Sequence, residues 1–287
     1  MRINKYLAEC GICSRRKADE YVKAGRVCVN KKVVREVGRE VDELKDIVFV
    51  DGKKVVRITH YDYILFNKPK GCVTTTDDTR DDKSGRKKPD AAGDGEMKKS
   101  HSESLRVRTD VSVGSADNTS DSVKKKPRRT VLDYLGEYKD KRLFPVGRLD
   151  YDSEGLLLLT NDGDMTFKLT HPSSEISKTY IVRIEGSIEE SDLAILRKGV
   201  TVDGVKYGRC KVKVTGIEDG NTRLEVVIFE GKNREIRRMF EAVEKNVVFL
   251  KRVAIGELRL GGLSRGGYRE LSEGEIAYLA SLCGLER

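Results

Sequence analysis

Three carboxylates alternate along Asp150-Tyr151-Asp152-Ser153-Glu154, and Arg148 lies two residues before the first of them. A carboxylate held beside a cation stays ionised at neutral pH. Placed where a sheet opens to solvent, it can serve as a nucleophile or a base. An Asp in a loop is more often a turn or cap residue, so Asp150 alone marks a site without naming a reaction. A second group is Lys178-Thr179-Tyr180, at the start of an alternating run. Tyr180 could stack on a planar ligand while its hydroxyl bonds elsewhere, although a tyrosine of high β-propensity in a sheet reads the same way. A third is Glu230-Gly231-Lys232-Asn233-Arg234-Glu235-Ile236-Arg237-Arg238-Met239, with four cations in the seven residues 232–238. Cations crowded at a helix start suit a phosphate or carboxylate ligand, and a solvated basic face is the equal alternative. A fourth is the basic cluster Arg15, Arg16, Lys17, Lys23 and Arg26, which has the footprint of phosphate contacts. Only Tyr21 interleaves it, which favours shape recognition of folded RNA over single-strand reading.

These groups need elements to hold them. Residues 2–9 and 14–24 read as two helices, the second capped by Ser14 and ended by Gly25. Short strands are expected at 26–29 and 47–50, with Val33-Val34 between them and an Asp51-Gly52 turn after. This makes a small α+β domain over 1–60. A second domain, 61–287, opens with an apolar strand from Tyr63 into a Pro69-Lys70-Gly71 turn. Residues 77–129 contain no aromatic residue and few aliphatics. Such a segment buries too little apolar surface to offset its ordering entropy, so it is expected to be a disordered insertion. Order should return with a short helix over 130–135 and a buried strand Gly155–Thr160. Further strands are expected at 178–184, 200–202, 210–217, 223–229, 247–252 and 255–260. Helices are expected at 164–169, 233–243 and from Ser272 to about Cys283. The pattern is α+β, a large and mostly antiparallel sheet with a few helices.

The chain has 287 residues, a net charge of +9 and 36% charged residues. Its first sixty residues hold 15 Lys/Arg against 9 Asp/Glu. That surplus points to a polyanion, and nucleic acid is the commonest one. No apolar run is long enough to span a bilayer, and the N-terminus reads as the start of folded structure rather than a leader. Six irregularly spaced cysteines argue against a disulfide framework and for a reducing, cytoplasmic compartment. Cys10-Gly11-Ile12-Cys13 lacks a second ligand pair for zinc. A glycosidase built on paired carboxylates is disfavoured by the absence of Trp and the positive charge.

Taken together, the motifs resemble a known family. Gly11-Ile12-Cys13-Ser14-Arg15-Arg16-Lys17-Ala18 and Gly25-Arg26-Val27-Cys28-Val29-Asn30 resemble an S4 (αL-type) RNA-binding domain. Four further segments resemble the RsuA-type ribosomal RNA pseudouridine synthases: Asn67-Lys68-Pro69-Lys70-Gly71, Val146 to Asp150 and on through Thr160-Asn161-Asp162-Gly163, Lys178-Thr179-Tyr180, and Gly231 to Met239. The resemblance implies a small S4 domain followed by a mostly antiparallel catalytic domain that isomerises uridine in ribosomal RNA. It makes Asp150 the essential aspartate, attacking ribose or base as the glycosidic bond breaks. Tyr180 would stack on the uracil and act as the base at C5. Arg237 would pair with Asp150, and Leu250 would pack under the target base. Arg148, Lys178 and Arg234 complete the substrate-binding set. The target must be flipped out of its helix before its C1′–N1 bond can be reached. No cofactor or metal is expected for an isomerisation. The expected partner is ribosomal RNA or a ribosomal subunit assembly intermediate, met by a monomer. The insertion at 77–129 is longer than the family pattern leads one to expect.

Overall fold

The computed structural model describes residues 1–75, 128–139 and 141–286. All of the 77–129 segment except Arg128 and Arg129 lies outside them. In the N-terminal module, helices α1 (Ile3–Glu9) and α2 (Arg15–Lys23) precede strands β1 (Val27–Val29), β2 (Lys32–Val34), β3 (Val48–Val50) and β4 (Lys53–Lys54). Ser14 caps α2 by accepting from the Lys17 amide (3.3 Å), which satisfies one of the orphan N–H groups of the first turn. The strands pair antiparallel in the order β2-β1-β3-β4. Ile3, Leu7, Ala18, Val22, Val27 and Val48 fill the space beneath them. The i, i+4 spacing of the helical residues in that set turns one face of each helix inward.

The rest of the described chain is organised around one nine-stranded sheet. Its elements are β5 (Tyr63–Lys68), β6 (Phe144–Pro145), β7 (Glu154–Thr160), α3 (Gly163–Thr170), β8 (Lys178–Glu185), α4 (Glu190–Lys198), β9 (Val200–Val202), β10 (Val205–Tyr207), β11 (Lys211–Glu218), β12 (Asn221–Ile228), α5 (Glu235–Glu241), β13 (Val247–Ile255), β14 (Leu258–Arg259), β15 (Tyr268–Glu270) and α6 (Glu273–Cys283). The sheet order is β11-β12-β8-β13-β7-β5-β15, with β14 on β13 and β6 on β7. Only β13 and β7 run parallel, and they meet over just two residue pairs, Lys251 with Glu154 and Arg252 with Gly155. Gly155 allows that approach. It sits at φ +103°, and a Cβ there would lie 2.1 Å from the Arg252 carbonyl oxygen, so no other residue fits.

Strand β7 is buried along its whole length, which explains its unbroken apolar run. Leu157 and Leu159 pack with Ile64 and Phe66 on one face. Leu156 and Leu158 pack with Tyr63, Leu65 and the helices α3 and α6 on the other. Each such leucine contributes about 1.5–3 kcal/mol by leaving water.

The α+β class and the mostly antiparallel sheet stand as expected. The short helix expected over 130–135 is present, as a 3-10 helix at Val131–Tyr134. Several elements differ from expectation. Helix α4 and strands β10 and β15 were not anticipated. The expected strand 255–260 is split between the end of β13 and β14. Helix α5 is seven residues long and starts at Glu235, because Arg234 takes a left-handed conformation (φ 50°) and stops the helix from extending backwards.

Candidate active site

Asp150 lies in the loop between β6 and β7, and three independent anchors hold that loop. The Thr74 hydroxyl donates to the Leu149 carbonyl (2.7 Å) and accepts from the Leu149 amide (3.3 Å). The Gly71 amide donates to the Tyr151 carbonyl (2.9 Å). The third anchor is Lys68, at the end of β5, whose side chain is fully enclosed. Its ammonium donates to the carbonyls of Asp150 (3.0 Å), Ser153 (3.0 Å) and Pro69 (3.1 Å). Burial lowers the Lys68 pKa from its ordinary value, opposed by the negative groups around it, Asp150, Asp152 and Glu154 among them. Two of the three donors hold the loop at Asp150 and just after it, and the third ties it to the turn that follows β5.

Beside this loop lies a cavity of about 330 Å³, within the size range of small-molecule sites. Asp150 and Arg148 line it from the loop, Lys178 and Tyr180 from β8, and Leu250 and Arg252 from β13. Five of these were singled out from the sequence, and the structure brings them into one wall. Tyr180 and Leu250 are largely buried. Tyr180 stands directly opposite Arg252 across the β8–β13 ladder, and Leu250 opposite Val182. The side chains of Tyr180, Val182, Leu250 and Arg252 therefore share one face of the sheet.

The Lys232–Glu235 turn also lines the cavity. The Glu235 carboxylate is buried and accepts from the Lys232 amide (2.8 Å). Burial raises its pKa above the ordinary carboxylate value. The Lys178 ammonium donates to the Ile176 carbonyl (2.9 Å). Burial, then the neighbouring Arg252 charge, lower its pKa.

Arg237 departs from expectation. Its guanidinium pairs with Asp152 (3.0 Å), not with Asp150. A further bond runs from Nη1 to the Val247 carbonyl (2.7 Å), and the cavity wall does not include it. The reason is the turn itself. The Ser153 amide closes on the Asp150 carbonyl (3.1 Å), so side chains two residues apart diverge. Asp150 faces the cavity and Asp152 faces α5. Arg234 lies 3.6 Å from the same Asp152 carboxylate while also lining the cavity. The four cations of 232–238 do gather at a helix start: Arg234 is the N-cap of α5, Lys232 precedes it, and Arg237 and Arg238 fall among its first four residues.

In the N-terminal cluster, Arg15, Arg16, Lys17 and Lys23 are exposed and make no ion pair among the described residues. Arg26 is engaged. It bonds Asp51 through two nitrogens, at 2.9 and 2.5 Å, and lies over the Tyr21 ring. Of the cysteine pair weighed for zinc, Cys13 is buried and Cys10 half-buried. Burial pushes the Cys10 thiol up to about 11.

The family model for RNA pseudouridylate synthase matches residues 62–242, and that for the S4 domain matches residues 1–48. The chain belongs to the RNA pseudouridylate synthase family. It is 35% identical to the ribosomal large subunit pseudouridine synthase B of Bacillus subtilis, over 98% of this chain and 96% of that one. It is also 35% identical to an uncharacterised RNA pseudouridine synthase of Aquifex aeolicus, over 100% of this chain and 96% of that one. The dual-specificity RNA pseudouridine synthase RluF of Escherichia coli is 31% identical, over 98% of this chain and 79% of its own. A crystal structure of a pseudouridylate synthase superposes with a TM-score of 0.58 at 25% identity, covering 97% of this chain and 99% of that one. The RsuA-type resemblance read from the motifs holds. This pseudouridine synthase is an isomerase with an S4 domain at its N-terminus, and its substrate is uridine in RNA. Among its described residues no helix is long and apolar enough to cross a membrane.

Sequence reasoning missed Lys68 and Arg252 as site residues. The signal for Lys68 was its place in Asn67-Lys68-Pro69-Lys70-Gly71. For Arg252 it was the charged pair Lys251-Arg252 interrupting the apolar stretch of β13.

Proposed function

We propose that this chain isomerises a specific uridine in ribosomal RNA to pseudouridine, with Asp150 as the nucleophile. The observation that carries this reading is the shared cavity: Asp150, Tyr180 and Leu250 line one pocket large enough for a flipped-out base. Asp150 attacks the ribose or the base as the glycosidic bond breaks. Tyr180 stacks on the uracil and serves as the base at C5, and Leu250 packs beneath the ring. Arg148, Lys178 and Arg234 contact the substrate nucleotide or its phosphates. Arg237 aims Asp150 at one remove, by fixing Asp152 and through it the turn. Arg15, Arg16, Lys17 and Lys23 bind the RNA backbone, and Arg26 lends its charge from a fixed position. We place the domain boundary near residue 60. The setting is the cytoplasm, the partner ribosomal RNA or a subunit assembly intermediate, and the working form a monomer without a cofactor.

A relative named for the ribosomal large subunit supports the choice of substrate. Pseudouridine mapping of ribosomal RNA from cells with and without the protein tests it. One or a few pseudouridines should vanish in the deletion strain. Asp150→Ala should bind RNA and fail to restore them. Restoration by that variant would falsify the role given to Asp150.

A further inference from the structure

The cavity wall contains a charge that the reaction as described does not use. Arg252 lies in the middle of β13 and is only 3% exposed. Its Nε donates to the Leu156 carbonyl (2.7 Å), while Nη2 is buried without an acceptor. No carboxylate pairs with it among the described residues. A buried charge normally requires a partner. The neighbouring charge is of like sign, since Arg252 and Lys178 are close enough for Arg252 to lower the Lys178 pKa. Arg237, the other buried arginine of the site, is held by Asp152 and the Val247 carbonyl.

We infer that Arg252 is a catalytic residue: its guanidinium, with the Lys178 ammonium beside it, takes up the negative charge that develops on the uracil when the glycosidic bond breaks. This rests on the reading of the cavity as the uridine site. In that reaction an Asp150 oxygen bonds to C1′ and the C1′–N1 bond breaks, its electron pair leaving with the base. The uracil carries that pair as an anion, spread over N1 and the two ring carbonyl oxygens. The base turns, C5 bonds to C1′ and the carboxylate is released. The proton lost from C5 is matched by one gained at N1, so charge balances overall. Attack by Asp150 on the ring instead of the sugar would load the same carbonyls with negative charge. A cationic donor fixed in a water-poor wall stabilises such an anion without reorganising during the reaction. Tyr180, directly across the ladder from Arg252, provides the stacking surface, so the ring and its charge would meet paired cross-strand neighbours.

The test is a leaving-group comparison in the full-length enzyme. Single-turnover consumption of the target nucleotide is measured on an RNA that the wild-type chain modifies, made with uridine or with 5-fluorouridine. Fluorine withdraws electrons and stabilises the uracil anion without help from the protein. Arg252→Gln should lose at least tenfold in rate on uridine RNA, lose clearly less on fluorouridine RNA, and keep its RNA affinity. Arg252→Lys, which retains the charge, should fall between wild type and Arg252→Gln. If Arg252→Gln does not fold, by circular dichroism and thermal unfolding, Arg252→Lys alone carries the comparison. Equal losses on both RNAs, a loss confined to affinity, or no loss would overturn the proposal. Asp150→Ala serves as the control. If it stays active on either RNA, the reading of the cavity falls. If it is inactive on both while the Arg252 variants show no leaving-group dependence, only the inference about Arg252 falls.

Discussion

Lys68 is the residue whose removal should be felt most sharply at the site, although it never touches substrate. Lys68→Met would leave three carbonyls of the Pro69 and Asp150–Ser153 backbone without their donor, at a cost of about 1–3 kcal/mol for each one left buried and unpaired. We expect a melting temperature several degrees lower in calorimetry. Turnover should fall by more than the unfolded fraction accounts for, because the loop carrying Asp150 loosens. A variant with wild-type turnover would show that Thr74 and Gly71 suffice to hold the loop. Local pattern fails at this scale. Lys68 bonds residues 82 and 85 positions away, and its own neighbourhood reads only as a turn. Asp150, Tyr180 and Leu250 were legible because each sits in a contiguous strip of distinctive residues. The partner of Arg237 was not, because the choice between Asp150 and Asp152 depends on which way a tight turn points its side chains.

Among the elements, α6 shows how a single helix end ties stability to pH. Ser272 caps it and Glu275 returns the bond to the Ser272 amide (2.9 Å), a capping box. Glu275 also receives two bonds from Arg269, at 2.8 and 2.7 Å. The Arg269 hydrogen bond, set against a smaller burial effect, holds its carboxyl down to about 2. An unfolded glutamate titrates near about 4.3. The stabilisation is therefore fully present above that value and is lost as pH falls toward the folded one. Glu275→Gln should flatten the stability curve between roughly pH 4.5 and 2, the window set by those two values, in urea titrations across that range. An unchanged slope would mean that the pair contributes nothing beyond its exposed surroundings. Helical periodicity made α1 and α2 readable, and an unbroken apolar run did the same for β7. Helix α4 was overlooked although Glu189 and Asp192 form a capping box ahead of Leu193 and Leu196, because short flanking strands dominated the reading. Helix α5 was overextended because nothing in Lys232-Asn233-Arg234 announces a left-handed residue.

For the whole molecule, the question is how an RNA reaches the cavity. Lys5 of α1 pairs with Asp164 of α3 (2.8 Å), and Arg142 donates to the Ala8 carbonyl (2.9 Å). The far end of α3 lines the cavity through Leu169 and Thr170. The S4 module thus touches a helix that ends at the site. Replacing Arg15, Arg16 and Lys17 together by alanine should weaken RNA binding and make its log-log salt slope shallower by about one for each phosphate no longer neutralised. Arg26→Ala should do so less, because Asp51 already neutralises that charge. Filter binding across a salt series distinguishes them, and equal effects would overturn the division. The surplus of charge in the first sixty residues was visible from composition alone. Those contacts were not, since they are single bonds between segments more than 130 residues apart.

The two-rung junction between β7 and β13 has a mechanical meaning. Each neighbouring ladder is several times longer: β7 is laced to β5 by six pairs and β13 to β8 by seven. Tension applied across the sheet would concentrate on Gly155 and Arg252, and the molecule would tear there first, like paper along a perforation. The cavity straddles that line, with Asp150 on the loop leading into one half and Tyr180 and Leu250 on the other, so strain along it would be felt first as a change in the spacing of the reacting groups.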